Sequence, residues 1–222
     1  MIRQRQPTER PNMNSPIPPL KNPPIEHVRP RCYACYRPKY ACFCDAIPKI
    51  DNQTNLLILQ HRIERTHPFN SARIVDHSLQ NAELIVGRNM ELANMDLGIS
   101  KNAGLLYPRW NAQPLEELAP NELPDQFVFL DGTWNHARTM YRDIPILKTL
   151  PCYRLNPGSP SRYLVRKEPT RDSLSTLEAV VSVLQQVEPE LGGLDRLIAA
   201  FDLMNQQQVD ELKRRNIKLR GR

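Results

Sequence analysis

Short, dense apolar runs alternate along the chain with stretches whose apolar positions recur at helical spacing. That alternation predicts an α/β sheet, mostly parallel. Thr54-Asn55-Leu56-Leu57-Ile58-Leu59-Gln60 reads as a buried strand. Residues 69 to 80 then place Phe69, Ala72, Ile74, Val75 and Leu79 near helical spacing. Ala82 to Val86 is a second strand, ended by Gly87, and Gly104-Leu105-Leu106-Tyr107 a third. Phe127 to Leu130 is a fourth, followed by a helix over Thr133 to Tyr141 that Pro145 limits. Cys152-Tyr153-Arg154-Leu155 is a fifth strand, stopped by Asn156-Pro157-Gly158. Residues 175 to 187 set Leu177, Val180, Val181 and Leu184 on one helical face. A last helix over about 193 to 215 carries Leu194, Leu197, Ile198, Phe201 and Leu212 and ends in Lys213-Arg214-Arg215. No internal repeat interrupts this order.

The first 30 residues break the pattern. Pro7, Pro11, Pro16, Pro18, Pro19, Pro23 and Pro24 forbid a helix, and few apolar residues offer a core, so this reads as a flexible arm. Its Arg3, Arg5 and Arg10 suit phosphate contacts, against the plainer reading of a passive tail. The length, 222 residues, supports one good-sized core with appendages. Thirty Lys and Arg against 24 Asp and Glu leave a charge of +6, compatible with a polyanion partner such as RNA or with simple solubility. No apolar run is long enough to span a bilayer, and the arginine-bearing N-terminus lacks the apolar segment of a secretory signal. The expected setting is therefore cytoplasmic, with thiols reduced.

In that setting Cys32-x-x-Cys35 and Cys42-x-Cys44 read as metal ligands rather than disulfides. Zinc wants four soft ligands in a tetrahedron, and the turn-prone Tyr36-Arg37-Pro38-Lys39-Tyr40 can close the loop between the pairs. With all four positions filled by thiolates, the site is structural, and an iron–sulfur cluster is the competing metal. Cys152, in a predicted strand, reads as a core residue.

Asp131-Gly132-Thr133-Trp134 directly follows an apolar strand, where open α/β sheets place ligands. Asp131 is either a carboxylate presented to a ligand or only a helix cap, and Thr133 can cap the same helix. Ser175-Thr176-Leu177-Glu178 fits a capping box, which marks a helix start and also offers free N–H groups to an anion. Upstream, Arg162, Arg166, Lys167 and Arg171 form a basic segment able to contact RNA phosphates, although such runs are often only a solvated face. His61 and His67, six apart without helical patterning, suggest a loop lining a ligand site more than a catalytic metal.

Together the cysteine cluster 32/35/42/44, the Asp131 to Trp134 turn and Ser175-Thr176-Leu177-Glu178-Ala179 resemble the DTW-domain family, over roughly residues 30 to 205. The loop after the first strand departs from the family's His-Pro-x-Glu and Asn-Thr-Gly, reading His61-Arg62-Ile63-Glu64 and Asn70-Ser71-Ala72. The resemblance implies an enzyme that moves the 3-amino-3-carboxypropyl group of S-adenosylmethionine to N3 of a uridine in the tRNA variable loop. The products are acp3U and methylthioadenosine. It also implies a SPOUT-like sheet with helices on both faces and a deep trefoil knot, which general topology rules would have argued against. The implied organisation is the arm over 1–30, a zinc knuckle over 31–50 and a catalytic domain over 51–222.

Uridine N3 carries a weakly acidic proton, so attack at neutral pH needs a positioned acceptor, and Asp131 is the candidate. The remaining task is to aim the donor's γ-carbon at N3. Under the resemblance Leu130, Gly132, Thr133, Trp134, Leu155, Ser175, Thr176 and Leu177 form the donor pocket. Arg162, Arg166, Lys167, Arg171, the knuckle and the arm grip tRNA. The chain is expected to act as a monomer, without an obligate protein partner or a membrane. A SPOUT-like RNA methyltransferase and a non-catalytic zinc-knuckle RNA-binding protein are the alternatives. Ribosomal RNA is a further, lower-ranked substrate.

Overall fold

The structure is a computed structural model and describes residues 30–156 and 174–214. The expectations for the N-terminal arm, for the Pro157-Gly158 stop and for Arg162, Arg166, Lys167 and Arg171 lie outside the described residues. The elements below all belong to the unit Arg31–Arg222.

Among the described residues six strands form one parallel sheet: β1 (Asn55–His61), β2 (Ala82–Gly87), β3 (Ala103–Leu106), β4 (Gln113–Pro114), β5 (Gln126–Asp131) and β6 (Cys152–Arg154). Their order is β2-β1-β5-β3-β6-β4, every pairing parallel. The α-helices described with it are α1 (Ser71–Ser78), α2 (Asn89–Ala93), α3 (Trp134–Asp143), α4 (Thr176–Val187) and α5 (Leu194–Arg214). Helices cover both faces of the sheet, so the central strands are apolar on both sides. Leu56, Ile58, Phe127 and Phe129 point into a core completed by α1, α4 and α5. Leu57, Leu59 and Val128 point the other way, into a core with Leu92 of α2 and Met140 of α3. Burying a side chain such as Phe127 or Phe201, both 0 % exposed, stabilises by about 1.5–3 kcal/mol.

The major elements fall where the apolar pattern puts them. Two short elements escape it. β4 is an edge strand of two residues containing Pro114, which suits an edge because a proline has no N–H to give. α2 has only five residues, too few to show a period. The fourth predicted strand also runs one residue further, so Asp131 is the last residue of β5 and lies within the ladder. Among the described residues no helix is long and apolar enough to cross a membrane.

Candidate active site and candidate metal centre

Parallel pairing sets Gln60 of β1 beside Asp131 of β5. Counting by two from Leu56 and Ile58, and from Phe127 and Phe129, puts both polar side chains on the α4 face at the C-terminal ends of their strands. Both are buried, Gln60 at 1 % and Asp131 at 6 % exposure. Gln60 Nε2 donates to Asp131 Oδ2 at 2.9 Å, and Thr176 Oγ1 donates to Asp131 Oδ1 at 2.6 Å. Two strands and the first turn of α4 therefore converge on one carboxylate. The N-terminal end of the α4 dipole favours its negative charge.

Asp131 is not the cap of α3. Thr133 is, with its side chain accepting from the His136 N–H. Gly132 between them answers a close approach: a Cβ there would meet His136 Cβ at 2.8 Å. Ser175 caps α4 as a full capping box, its Oγ accepting from the Glu178 N–H and its own N–H donating to Glu178 at 2.8 Å. That engages Ser175 within the box, while the amides of Thr176 and Leu177 have no partner within the helix.

The other residues expected around a donor divide by burial. Thr133 and Trp134 are exposed and Gly132 is half-buried. Leu130 and Leu155 are half-buried and pack on opposite cores. The Leu177 side chain is fully buried in the core, which leaves only its backbone for a ligand.

On the α3 side of the same edge lies a group that the apolar pattern did not reveal. The rings of His61 and His136 stack at 4.0 Å, and His136 Nδ1 is 3.9 Å from Glu64 Oε1. Burial lowers the pKa of His61, and the neighbouring His136 lowers it further. Its Nδ1 is buried with no hydrogen-bond partner among the described residues. Gln60 was legible in principle, as a polar residue of core-facing parity at the end of an apolar run. His136 carried no comparable signal.

The second centre is the cysteine cluster. Cys32 N donates to Arg37 O, and Arg31 pairs with Pro38, closing a hairpin through Tyr36 at φ 58°. The four sulfurs all lie within 4.8 Å of one another. Cys32 Sγ is 3.8 Å from Cys44 Sγ, and Cys35 Sγ is 3.9 Å from Cys42 Sγ. Those separations are far from a disulfide bond of about 2.05 Å. They match the edge of a tetrahedron with metal–sulfur bonds of about 2.3 Å, roughly 3.8 Å. The thiols are therefore placed to hold a metal ion, with no position open. The backbone N–H of Cys35 lowers the Cys32 pKa to about 6, whereas burial raises those of Cys35 and Cys44.

Two buried guanidiniums surround the cluster. Arg37, 4 % exposed, lies over the rings of Phe43 and Phe69 at 5.3 and 5.5 Å. Arg73 of α1 donates to Cys35 O at 2.9 Å and lies over Tyr36 at 4.6 Å. Four thiolates about a divalent cation would leave a charge of roughly −2, which Arg37 and Arg73 would balance. Burial lowers the Arg73 pKa, and the charges of Tyr36, Cys35 and Asp131 oppose that shift. Arg73 thus lies within electrostatic reach of both centres. Cys152, away from both, is half-buried against the α2–α3 core.

A family model described as the DTW domain matches residues 29–209. Among curated proteins, the chain is 32% identical over 174 residues to tRNA-uridine aminocarboxypropyltransferase 2 of Drosophila melanogaster, covering 73% of this chain and 69% of the relative. It is 28% identical to the Mus musculus protein of the same name, covering 74% of this chain and 59% of that relative. It is 26% identical to tRNA-uridine aminocarboxypropyltransferase A of Arabidopsis thaliana, covering 84% of each. No solved structure matches.

Proposed function

This chain belongs to the DTW-domain family, and on that premise we propose that it transfers the 3-amino-3-carboxypropyl group of S-adenosylmethionine to N3 of a uridine in the tRNA variable loop. The single observation that carries the reading is Asp131 of the Asp-Gly-Thr-Trp turn, a buried carboxylate gripped by Gln60 and Thr176 at the C-terminal edge of a parallel sheet. That edge is where open α/β sheets take ligands. In balance, the N3–H proton leaves to an acceptor, an N3–Cγ bond forms and the S–Cγ bond breaks. Methylthioadenosine departs with the sulfur's electron pair.

The residues fit such a donor. Asp131 supplies a fixed negative charge that complements its sulfonium and ammonium, and it is our candidate for drawing off the N3 proton. The amides of Thr176 and Leu177, free of helix partners, suit its carboxylate. Leu130, Gly132, Thr133, Trp134, Leu155 and Ser175 complete the pocket in this reading, and Trp134 walls it. A SPOUT-like knotted arrangement belongs to the same proposal. So do zinc as the ion of the four-cysteine cluster, a monomeric enzyme without a protein partner, and the division into arm, knuckle and catalytic domain. Arg162, Arg166, Lys167 and Arg171, together with the knuckle and the arm, are assigned to tRNA on sequence grounds.

The test is one incubation of purified protein with S-adenosylmethionine and unmodified tRNA, reading nucleosides and small molecules by mass spectrometry. acp3U with methylthioadenosine is expected. A methylated base with S-adenosylhomocysteine would move the chain to methyl transfer. No product with tRNA or ribosomal RNA would leave it a binding protein.

A further inference from the structure

We infer that the surface from Trp134 along α3 to Trp110 is a nucleotide-stacking platform that holds tRNA beside the reacting edge. The inference rests on the tRNA substrate proposed above and concerns residues that neither the motifs nor that reading used, Trp134 apart. Tyr107 directly follows β3, on the same strand-end edge as Asp131. Its ring stacks on Tyr141 of α3 at 4.8 Å and 15°. Arg109 donates to the Tyr141 hydroxyl and lies over that ring at 5.2 Å from its centroid. Next to it Trp110 is 91% exposed, an unusual state for the largest apolar side chain.

On α3, Trp134, Arg138 and Tyr141 stand at i, i+4 and i+7 and so share one face, spanning about 10 Å along the axis. Trp134 is 38% exposed and Arg138 is exposed. Arg138 is near enough to Tyr107 for its charge to act on that phenol. Arg142, one turn on, is tied to Asp143 at 2.6 Å. Among the described residues neither Arg109 nor Arg138 has a carboxylate partner. The patch thus combines indole and phenol faces with two guanidiniums that no carboxylate neutralises. Single-stranded or looped RNA requires those chemistries: π-faces for unstacked bases and cations for phosphates. A protein partner would find no apolar core here, only alternating rings and charges.

The Tyr141–Tyr107–Arg109 stack is held together by its own ring contact, hydrogen bond and cation–π contact. Trp110, adjacent to Arg109 in sequence, and Trp134, two turns before Tyr141 on α3, are the exposed indoles that accompany it. A variable-loop uridine drawn out of its stack towards Asp131 would leave neighbouring bases exposed, and the platform offers them surfaces.

The test measures tRNA affinity of the full chain for wild type, Trp110→Ala, Trp110→Phe and Arg138→Ala at several salt concentrations. Trp110→Ala is expected to weaken binding roughly ten- to a hundredfold, the effect of removing one stacked base. Trp110→Phe should restore most of it. Arg138→Ala should reduce the slope of log K against log salt by about 1. Because Trp110 is almost fully exposed, its truncation leaves the fold intact, which circular dichroism checks. Wild-type affinity in Trp110→Ala would overturn the platform, whatever the slope in Arg138→Ala. If Trp110→Ala loses affinity while wild type forms no acp3U, the platform stands and the proposed reaction falls. If wild type forms acp3U and Trp110→Ala keeps its affinity and KM, the reaction stands and the platform falls.

Discussion

The cysteine knuckle and the strand-end site are built on opposite principles. The knuckle takes four ligands from thirteen consecutive residues, Cys32 to Cys44, and its geometry follows from one hairpin. The strand-end site takes one residue each from β1, β5 and α4, separated by 71 and 45 positions, and exists only once the sheet has formed. A local site is stabilised by what binds it. A non-local site is stabilised by the core that assembles it.

That contrast can be broken first at the knuckle. Cys35→Ser should lose the metal and open the knuckle locally by at least about 3 kcal/mol, against structural zinc energies of about 10–16 kcal/mol. Hydrogen exchange should show the Cys32 amide deprotected while the β1 and β5 amides hold. Equal loss across both regions would show that the knuckle and core are one cooperative unit.

Effects at the strand-end site should be smaller in stability and larger in activity. Gly132→Ala drives a methyl to 2.8 Å from His136 Cβ and should cost about 1–3 kcal/mol by denaturant melting. Thr176→Val removes the donor to Asp131 Oδ1 at a cost of about 1–3 kcal/mol, and metal content should not change. A Thr176→Val protein that melts and turns over like wild type would remove α4 from the site.

The finest difference is in pH. His61 has a lowered folded pKa, so the unfolded chain binds more protons between that value and about 6.5. Stability from this group is complete above about pH 6.5 and is lost as pH falls towards the folded pKa. His61→Asn should flatten the melting profile in that window. An unchanged slope would take His61 out of the account.

The same contrast explains what the sequence disclosed. The ligands 32/35/42/44 are legible because their spacing is the geometry. β1, β5 and the long helices are legible because burial on both sheet faces forces apolar runs. Asp131 stands out at the end of such a run, but its partners do not. Gln60 and Thr176 meet it only through strand register and helix docking, and the His61–His136 stack needs α3 folded back on β1. Arg73 looks like an ordinary helix residue until its guanidinium is seen against Cys35 O. β4 and α2 are too short to carry a period.

The most direct measurement of the central claim is the single-turnover rate of acp3U formation by Asp131→Asn beside wild type, with tRNA affinity and metal content measured on the same samples. The account predicts a loss of at least about a hundredfold in rate with affinity and metal unchanged. A variant that forms acp3U at the wild-type rate would contradict it.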